Sequence, residues 1–192
     1  MDVRVIPKND YLKSNTNDEN MNFVYALSKL LKITKSSFIK SMSSFLGLPH
    51  RYEIFFKKRG ITFINDSKAT SLQATKFALA GSKNIFWILG GLPKDKDKID
   101  LSYTKNNIIK SYIIGKNVNF FKKQLRNKVN FSVTKNLKNS IIRAFKDLKS
   151  LKRVNNTILL SPGAASFDQF KNFENRGNEF KKLIRLYAKK FI

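Results

Sequence analysis

Four short apolar runs in this chain lead straight into residues suited to holding an anion. Residues 61–64 run into Asn65-Asp66-Ser67-Lys68-Ala69-Thr70, and residues 85–89 into Gly90-Gly91-Leu92-Pro93-Lys94. Residues 112–114 run into Gly115-Lys116, and 157–160 into Ser161-Pro162-Gly163-Ala164-Ala165-Ser166-Phe167-Asp168-Gln169. Lys68 and Lys94 are cationic donors for phosphate or carboxylate. Ser67, Thr70 and Ser166 are neutral donors. Gly90-Gly91 and Gly163-Ala164-Ala165 would let backbone amides approach an anion closely. Ser166 reads as beginning or preceding a helix, whose first amides favour negative charge. The implied ligand is a small molecule with carboxylates, phosphates or both. Each motif also has a plainer reading: Asp66-Ser67-Lys68 as an Asx turn capping a helix at Leu72, Gly90-Gly91 as an ordinary turn, the lysines as solvated surface. Their shared position after apolar runs favours the ligand.

Those motifs need a scaffold. Continuous apolar runs of this length suit strands buried on both faces, as in a parallel sheet. Helical patterns separate them: residues 72–80, a weaker one at 118–125, an apolar stripe of Leu137, Ile141, Ile142, Phe145 and Leu148, and another of Phe180, Leu183, Ile184, Tyr187 and Phe191. A further strand is expected at 129–133. The alternation predicts an α/β fold, a Rossmann-like, mostly parallel sheet flanked by helices. In such sheets ligands bind beyond the carboxyl ends of the strands, so the four motifs should converge on one edge. Ahead of the sheet, 52–57 and 61–64 flank Lys58-Arg59-Gly60 and read as a β-hairpin. Residues 1–19 are polar. Residues 20–31 and 36–45 read as helices, the first with Val24, Leu27, Leu30 and Leu31 at helical spacing, the second capped by Ser36 or Ser37 and stopped by Gly47-Leu48-Pro49.

Composition narrows the chemistry. The chain has 192 residues, no cysteine and one histidine, His50. Disulfides, thiolate metal sites and multi-histidine zinc sites are excluded, and no metal site is expected. Lys+Arg is 38 against Asp+Glu 13, a formal charge of +25, which raises nucleic acid as a partner. The lysines are spread along the chain, in which asparagine, isoleucine and phenylalanine are abundant too. No nucleic-acid-binding motif is visible, so the charge reads as compositional background. No apolar run approaches the ~20 residues of a membrane span. The amino-terminal residues lack the apolar core of a signal peptide, so no membrane partner and a cytoplasmic location are expected.

The segments GLPHRYE, INDSKATS, ILGG, YIIG and LLSPGAASFDQFKNFENRGNEF, in this order and spacing, resemble the C-terminal part of the Mur ligase family, specifically its D-glutamate-adding branch. The likeness covers about residues 12–192. It implies that 1–46 are the tail of a central ATP-binding domain and that 47–192 are the C-terminal, D-glutamate-binding domain. The family reaction is ATP-dependent amide formation. ATP, with Mg2+, phosphorylates the carboxylate of UDP-N-acetylmuramoyl-L-alanine, and the amine of D-glutamate attacks the acyl phosphate.

Carried over by motif, Lys68 is the catalytic lysine beside the reacting phosphate. Asn17, Arg51 and Asp66 contact the nucleotide, Arg51 near phosphate, Asp66 near ribose and Asn17 at adenine. Thr70, Lys94, Ser166 and Phe173 seat D-glutamate. His50 reads as structural. The sequence departs from the family in lacking a glycine-rich phosphate loop ending in Gly-Lys-Ser/Thr, the central-domain metal ligands and the modified lysine. Ser14 and Thr16 stand where the family usually has glycine and histidine. The chain is therefore expected to be a fragment, a truncated product or one half of a split enzyme. It would be inactive alone, and a companion chain would carry the rest. The helices of 20–45 would then show apolar faces with no sheet to cover. A non-catalytic module binding anions or nucleic acid is the alternative.

Overall fold

A computed structural model describes Asn9, Leu12 and residues 15–151 and 155–192, apart from the side chains of 15–19. The chain divides into two units, Met1–Gly47 and Leu48–Ile192.

In the first unit, α1 (Asn15–Leu30) and α2 (Lys35–Ser43) enclose a small core of Leu12, Met21 and Phe38. Tyr25 meets Phe38 edge-on, with centroids 5.1 Å apart. The cap of α2 is Thr34, whose Oγ1 accepts from the Ser37 amide at 3.2 Å, and not the expected Ser36 or Ser37. Asn9 Nδ2 donates to the carbonyls of Met42 (2.7 Å) and Phe45 (2.8 Å), satisfying the open end of α2. Val24, Leu27, Leu30 and Leu31 all lie exposed, Leu30 at 79%. The apolar stripe expected from the sequence is present and, among the described residues, uncovered.

The second unit carries β1 (Glu53–Lys58), β2 (Ile61–Asn65), α3 (Thr75–Ala80), β3 (Ile85–Gly90), β4 (Ile108–Ile114), α4 (Val118–Leu125), β5 (Phe131–Lys135), α5 (Leu137–Ser150), β6 (Asn156–Leu160) and α6 (Phe173–Phe191). The six strands form one sheet in the order β1-β2-β6-β3-β4-β5. Only β1 runs antiparallel, joined to β2 by the expected hairpin. Its two turn residues, Arg59 (φ 48°) and Gly60 (φ 72°), are both left-handed, the backbone that a two-residue turn between twisted strands requires. The other strands are parallel, and β6, last in sequence, inserts between β2 and β3.

Alternation along the strands builds two cores. Phe63, Phe86, Ile88, Ile158 and Leu160 pack with Phe145 of α5 and Phe180 of α6. Ile85, Trp87, Leu89 and Leu159 pack on the opposite face with Leu79 of α3 and with Phe121 and Leu125 of α4. Each such side chain, fully removed from water, contributes about 1.5–3 kcal/mol of transfer free energy. With both faces covered, the strands can be apolar throughout. The carboxyl ends of β2, β6, β3 and β4 therefore open on one edge.

Candidate functional site

The loop after β2 is the centre of that edge. The Asp66 amide donates to Leu160 O at 2.7 Å, extending the β2–β6 pairing by one residue. This turns the Asp66 side chain inward. Its Oδ1 accepts from the Tyr52 amide (3.0 Å) and its Oδ2 from the Ser161 hydroxyl (2.7 Å). Asp66 is therefore not a cap for a helix at Leu72, and α3 begins only at Thr75. Burial raises the Asp66 carboxyl to about 6, against the lowering influence of Ser161, the Tyr52 amide and the nearby Arg51. Arg51 itself is exposed.

The neighbouring loops are bonded to one another. Leu92 and Ala165 exchange two backbone hydrogen bonds of 2.9 Å, joining the loops after β3 and β6. Asp97 N donates to Lys94 O at 3.3 Å, and Asp97 Oδ2 accepts from the Leu72 amide at 2.7 Å. That carboxylate fastens the Lys94 turn beside the Thr70 segment. Asp168 Oδ2 accepts from the Lys116 amide (3.0 Å), and Asn117 Nδ2 donates to Gly91 O (3.0 Å), which brings in the loop after β4.

Gly90 and Gly163 have a different task from the expected one. Gly90 N donates to Pro162 O, Gly163 N to Ala69 O and Gly115 N to Lys135 O, each at 2.9 Å. These amides are spent on loop-to-loop bonds and are not offered to an anion. Glycine is needed because the backbones approach so closely: a Cβ on Gly90 would land on Ile114 O, and Gly90 sits at φ 130°.

The start of α6 closes the site. Ser67 Oγ donates to Phe173 O (2.8 Å), and the Lys68 ammonium lies 4.0 Å from the centre of the Phe173 ring. His50, buried at φ 64°, meets the same ring edge-on at 5.9 Å. Its Nδ1 accepts from Asn65 Nδ2 (2.9 Å), which also donates to Glu53 Oε2 (2.9 Å). Burial and the nearby Lys181 hold the imidazole below its usual value, outweighing Glu53. Burial alone would raise Glu53, but the His50 amide and Lys181 hold it low.

Arg176 was not singled out by the sequence, yet it fixes this arrangement. It is 1% exposed. Its Nε donates to Ser67 Oγ (3.0 Å), Nη2 to Ser67 O (2.9 Å) and Nη1 to Ala164 O (3.0 Å). Burial lowers its guanidinium to about 10, with Asp168 opposing. Gly177 follows because a Cβ there would land on His50 Nδ1. Periodicity could not reveal this pair; the one signal was an arginine beside a glycine within the ENRGNEF segment.

Thus Lys68 and Phe173 are in contact, Arg51 lies near Asp66, and Lys94 is tied through Asp97 to the Thr70 loop. Ser166 follows the Leu92–Ala165 bridge. Lys68 and Lys94 are exposed and Thr70 and Phe173 half-buried. Ser67, expected as a ligand donor, is instead bonded to Arg176 and Phe173. Ser166 does not open a helix: its carbonyl accepts from Gln169 (3.1 Å) and Phe170 (2.8 Å) in one isolated turn. The helix begins at Phe173 behind Asn172, whose Oδ1 accepts from the Asn175 amide at 2.7 Å. The Asn17 side chain lies outside the described residues. Among the described residues no group of three or more acidic or histidine side chains could hold a metal ion, and no helix is long and apolar enough to cross a membrane.

The fold is that of an α/β domain of the Mur ligase type. A crystal structure of MurF from Acinetobacter baumannii superposes with a TM-score of 0.65 at 12% identity, covering 90% of this chain and 38% of that one. A second structure, the UDP-N-acetylmuramoylalanyl-D-glutamyl-2,6-diaminopimelate–D-alanyl-D-alanyl ligase of the same organism, gives 0.59 at 12% identity, covering 90% and 37%. No protein-family model matches the chain. Among curated proteins, the UDP-N-acetylmuramoylalanine–D-glutamate ligase of Wolbachia sp. subsp. Brugia malayi is 41% identical over 166 residues, 86% of this chain and 33% of the relative. The ligase of the same name from Rickettsia felis is 34% identical over 183 residues, 95% and 41% respectively. The chain is homologous to the D-glutamate-adding Mur ligases over nearly its whole length, and spans about a third to two-fifths of the length of these relatives.

Proposed function

We propose that this chain provides the D-glutamate-binding surface, and part of the nucleotide-contacting surface, of a cytoplasmic ATP-dependent ligase that joins D-glutamate to UDP-N-acetylmuramoyl-L-alanine in peptidoglycan precursor synthesis. Residues 47–192 correspond to the C-terminal domain of such a ligase and 1–46 to the tail of its central ATP-binding domain. The observation that carries this reading is the contact of two distant motifs: the Lys68 ammonium 4.0 Å over the Phe173 ring, held by Ser67 and Arg176.

Lys94, Thr70 and Ser166 bind the carboxylates of D-glutamate, and Phe173 closes the pocket beside its side chain. Lys68 leaves the aromatic face when a phosphate or carboxylate offers a stronger partner. Fixing the amino acid in this way orients its amine for attack, which is the main contribution a binding domain can make. Arg51 and Asp66 suit the edge of a nucleotide site.

The described residues do not fit the phosphate and Mg2+ end of that site. The Gly90, Gly115 and Gly163 amides are already bonded within the chain, and among the described residues no acidic cluster stands ready for a metal. Turnover therefore draws on the further length that the relatives have. Phosphate release with ATP, D-glutamate and UDP-N-acetylmuramoyl-L-alanine tests this: the chain alone gives background release, and robust turnover contradicts the dependence. Unchanged D-glutamate binding in Lys94→Ala and Ser166→Ala contradicts the site.

A further inference from the structure

The charge of +25 looks evenly spread in sequence, but the fold sorts it. The edge opposite the candidate site is formed by the β1–β2 turn, the connections entering β3, β4 and β5, and the carboxyl ends of α5 and α6. Arg59, Lys83, Lys105, Arg126, Lys149 and Lys189 come from these six places, and all are exposed. Among the described residues the acids at this edge are Asp100, engaged by the amide and hydroxyl of Ser102, and Asp147 in the last turn of α5, paired with Lys110 and Arg143. The site edge, by contrast, carries Glu53, Asp66, Asp95, Asp97, Asp168 and Glu174 among its cations. The basic edge also holds Tyr103, 95% exposed. The stretch that carries it is fastened by Lys128 Nζ donating to Ile99 O (3.2 Å) and Asn107 Nδ2 to Leu79 O (3.1 Å).

We infer that this edge is a docking surface for single-stranded nucleic acid. Phosphates track the cations, and Tyr103 offers a ring face on which a base stacks. An anionic bilayer fits less well, because insertion needs several apolar side chains. Of the other strongly exposed ones of this unit, Leu48, Leu92 and Phe167 lie at the site edge, which leaves Leu186 of α6 as a single further apolar side chain on the carboxyl half of that helix.

The test is fluorescence anisotropy of the full chain with a labelled single-stranded oligonucleotide of about twenty residues. If about five phosphates are neutralised, raising salt from about 50 to 200 mM weakens binding about 100-fold, from a slope of about 0.7 per phosphate on single strands. The triple variant R59E/K83E/K105E loses at least tenfold in affinity, and Tyr103→Ala about tenfold. A control of equal charge change away from this edge, K138E/K171E/K182E, loses less than threefold. Circular dichroism confirms that each variant folds. Equal losses in both triples would make the charge diffuse background and overturn the assignment, as would no binding at about 50 mM salt. Tighter binding to phosphatidylglycerol vesicles than to the oligonucleotide, unaffected by Tyr103→Ala, would overturn it in favour of a membrane surface.

Discussion

Replacing Asp66 by Asn should stabilise the second unit at neutral pH and leave it little changed in acid. The Asp66 carboxyl is 6% exposed, and burial raises it from 3.8 to about 6. The folded state therefore binds the proton more tightly than the unfolded chain does. Stability from this group is fully present below pH ~4 and is lost as pH rises through 6. The gap is about two pH units, at about 1.4 kcal/mol each, so ionised Asp66 costs about 3 kcal/mol at pH 7.5. Asparagine removes the charge and keeps an oxygen for the Tyr52 amide. Its amide group can donate to the Ser161 hydroxyl.

Trp87 provides the assay. It is the single tryptophan, fully buried, and its Nε1 donates to Ser161 O at 2.7 Å, one residue from the β6 strand end. Urea unfolding followed by its fluorescence gives stabilities at pH 4.5 and 7.5. The stability difference between variant and wild type should grow by about 2 kcal/mol over that interval, since about 1 kcal/mol of the cost is already present at pH 4.5. A difference that is flat, or that shrinks with pH, would refute the reasoning. It would mean that Arg51 and the two hydrogen bonds hold the carboxylate ionised. A buried carboxylate that costs stability is a common mark of a site kept for binding.

Arg176→Ala should cost about 3–5 kcal/mol in the same unfolding assay, because Ser67 O and Ala164 O lose their buried donors. Arg176→Lys, which keeps charge but not the fork, should fall between. Gly177→Ala separates two expectations cleanly. Helix propensity alone predicts a gain of about 1 kcal/mol, whereas the collision with His50 predicts a loss of about 1–3 kcal/mol. A stabilised Gly177→Ala protein would contradict the packing described around His50.

Much of the scaffold could be read in the sequence because apolar runs ending in polar residues mark parallel strands. The hairpin, the strands and α4 all appear where the pattern predicts, within a few residues. Elements that failed did so where a partner distant in sequence took over a local role. Leu72 does not begin a helix, since its amide is claimed by Asp97. Ser166 precedes α6 but does not begin it, because Asn172 caps the helix. The Gly90 and Gly163 amides look free in sequence, yet loops far along the chain accept from them. The insertion of β6 between β2 and β3 leaves no local trace. Arg176 was invisible because burial of a charge is decided by carbonyls it meets only after folding. The convergence of the site loops was legible, since a parallel sheet brings every strand end to one edge.

The most direct test of the D-glutamate site is amide-resolved titration of the 15N-labelled chain with D-glutamate and L-glutamate. The account predicts that D-glutamate shifts the amides around Lys68, Thr70, Lys94, Ser166 and Phe173 at lower concentration than L-glutamate. Lys94→Ala should weaken that binding about tenfold or more, the usual worth of one charge-assisted hydrogen bond. Equal response to both enantiomers, or shifts confined to residues away from these loops, would contradict it.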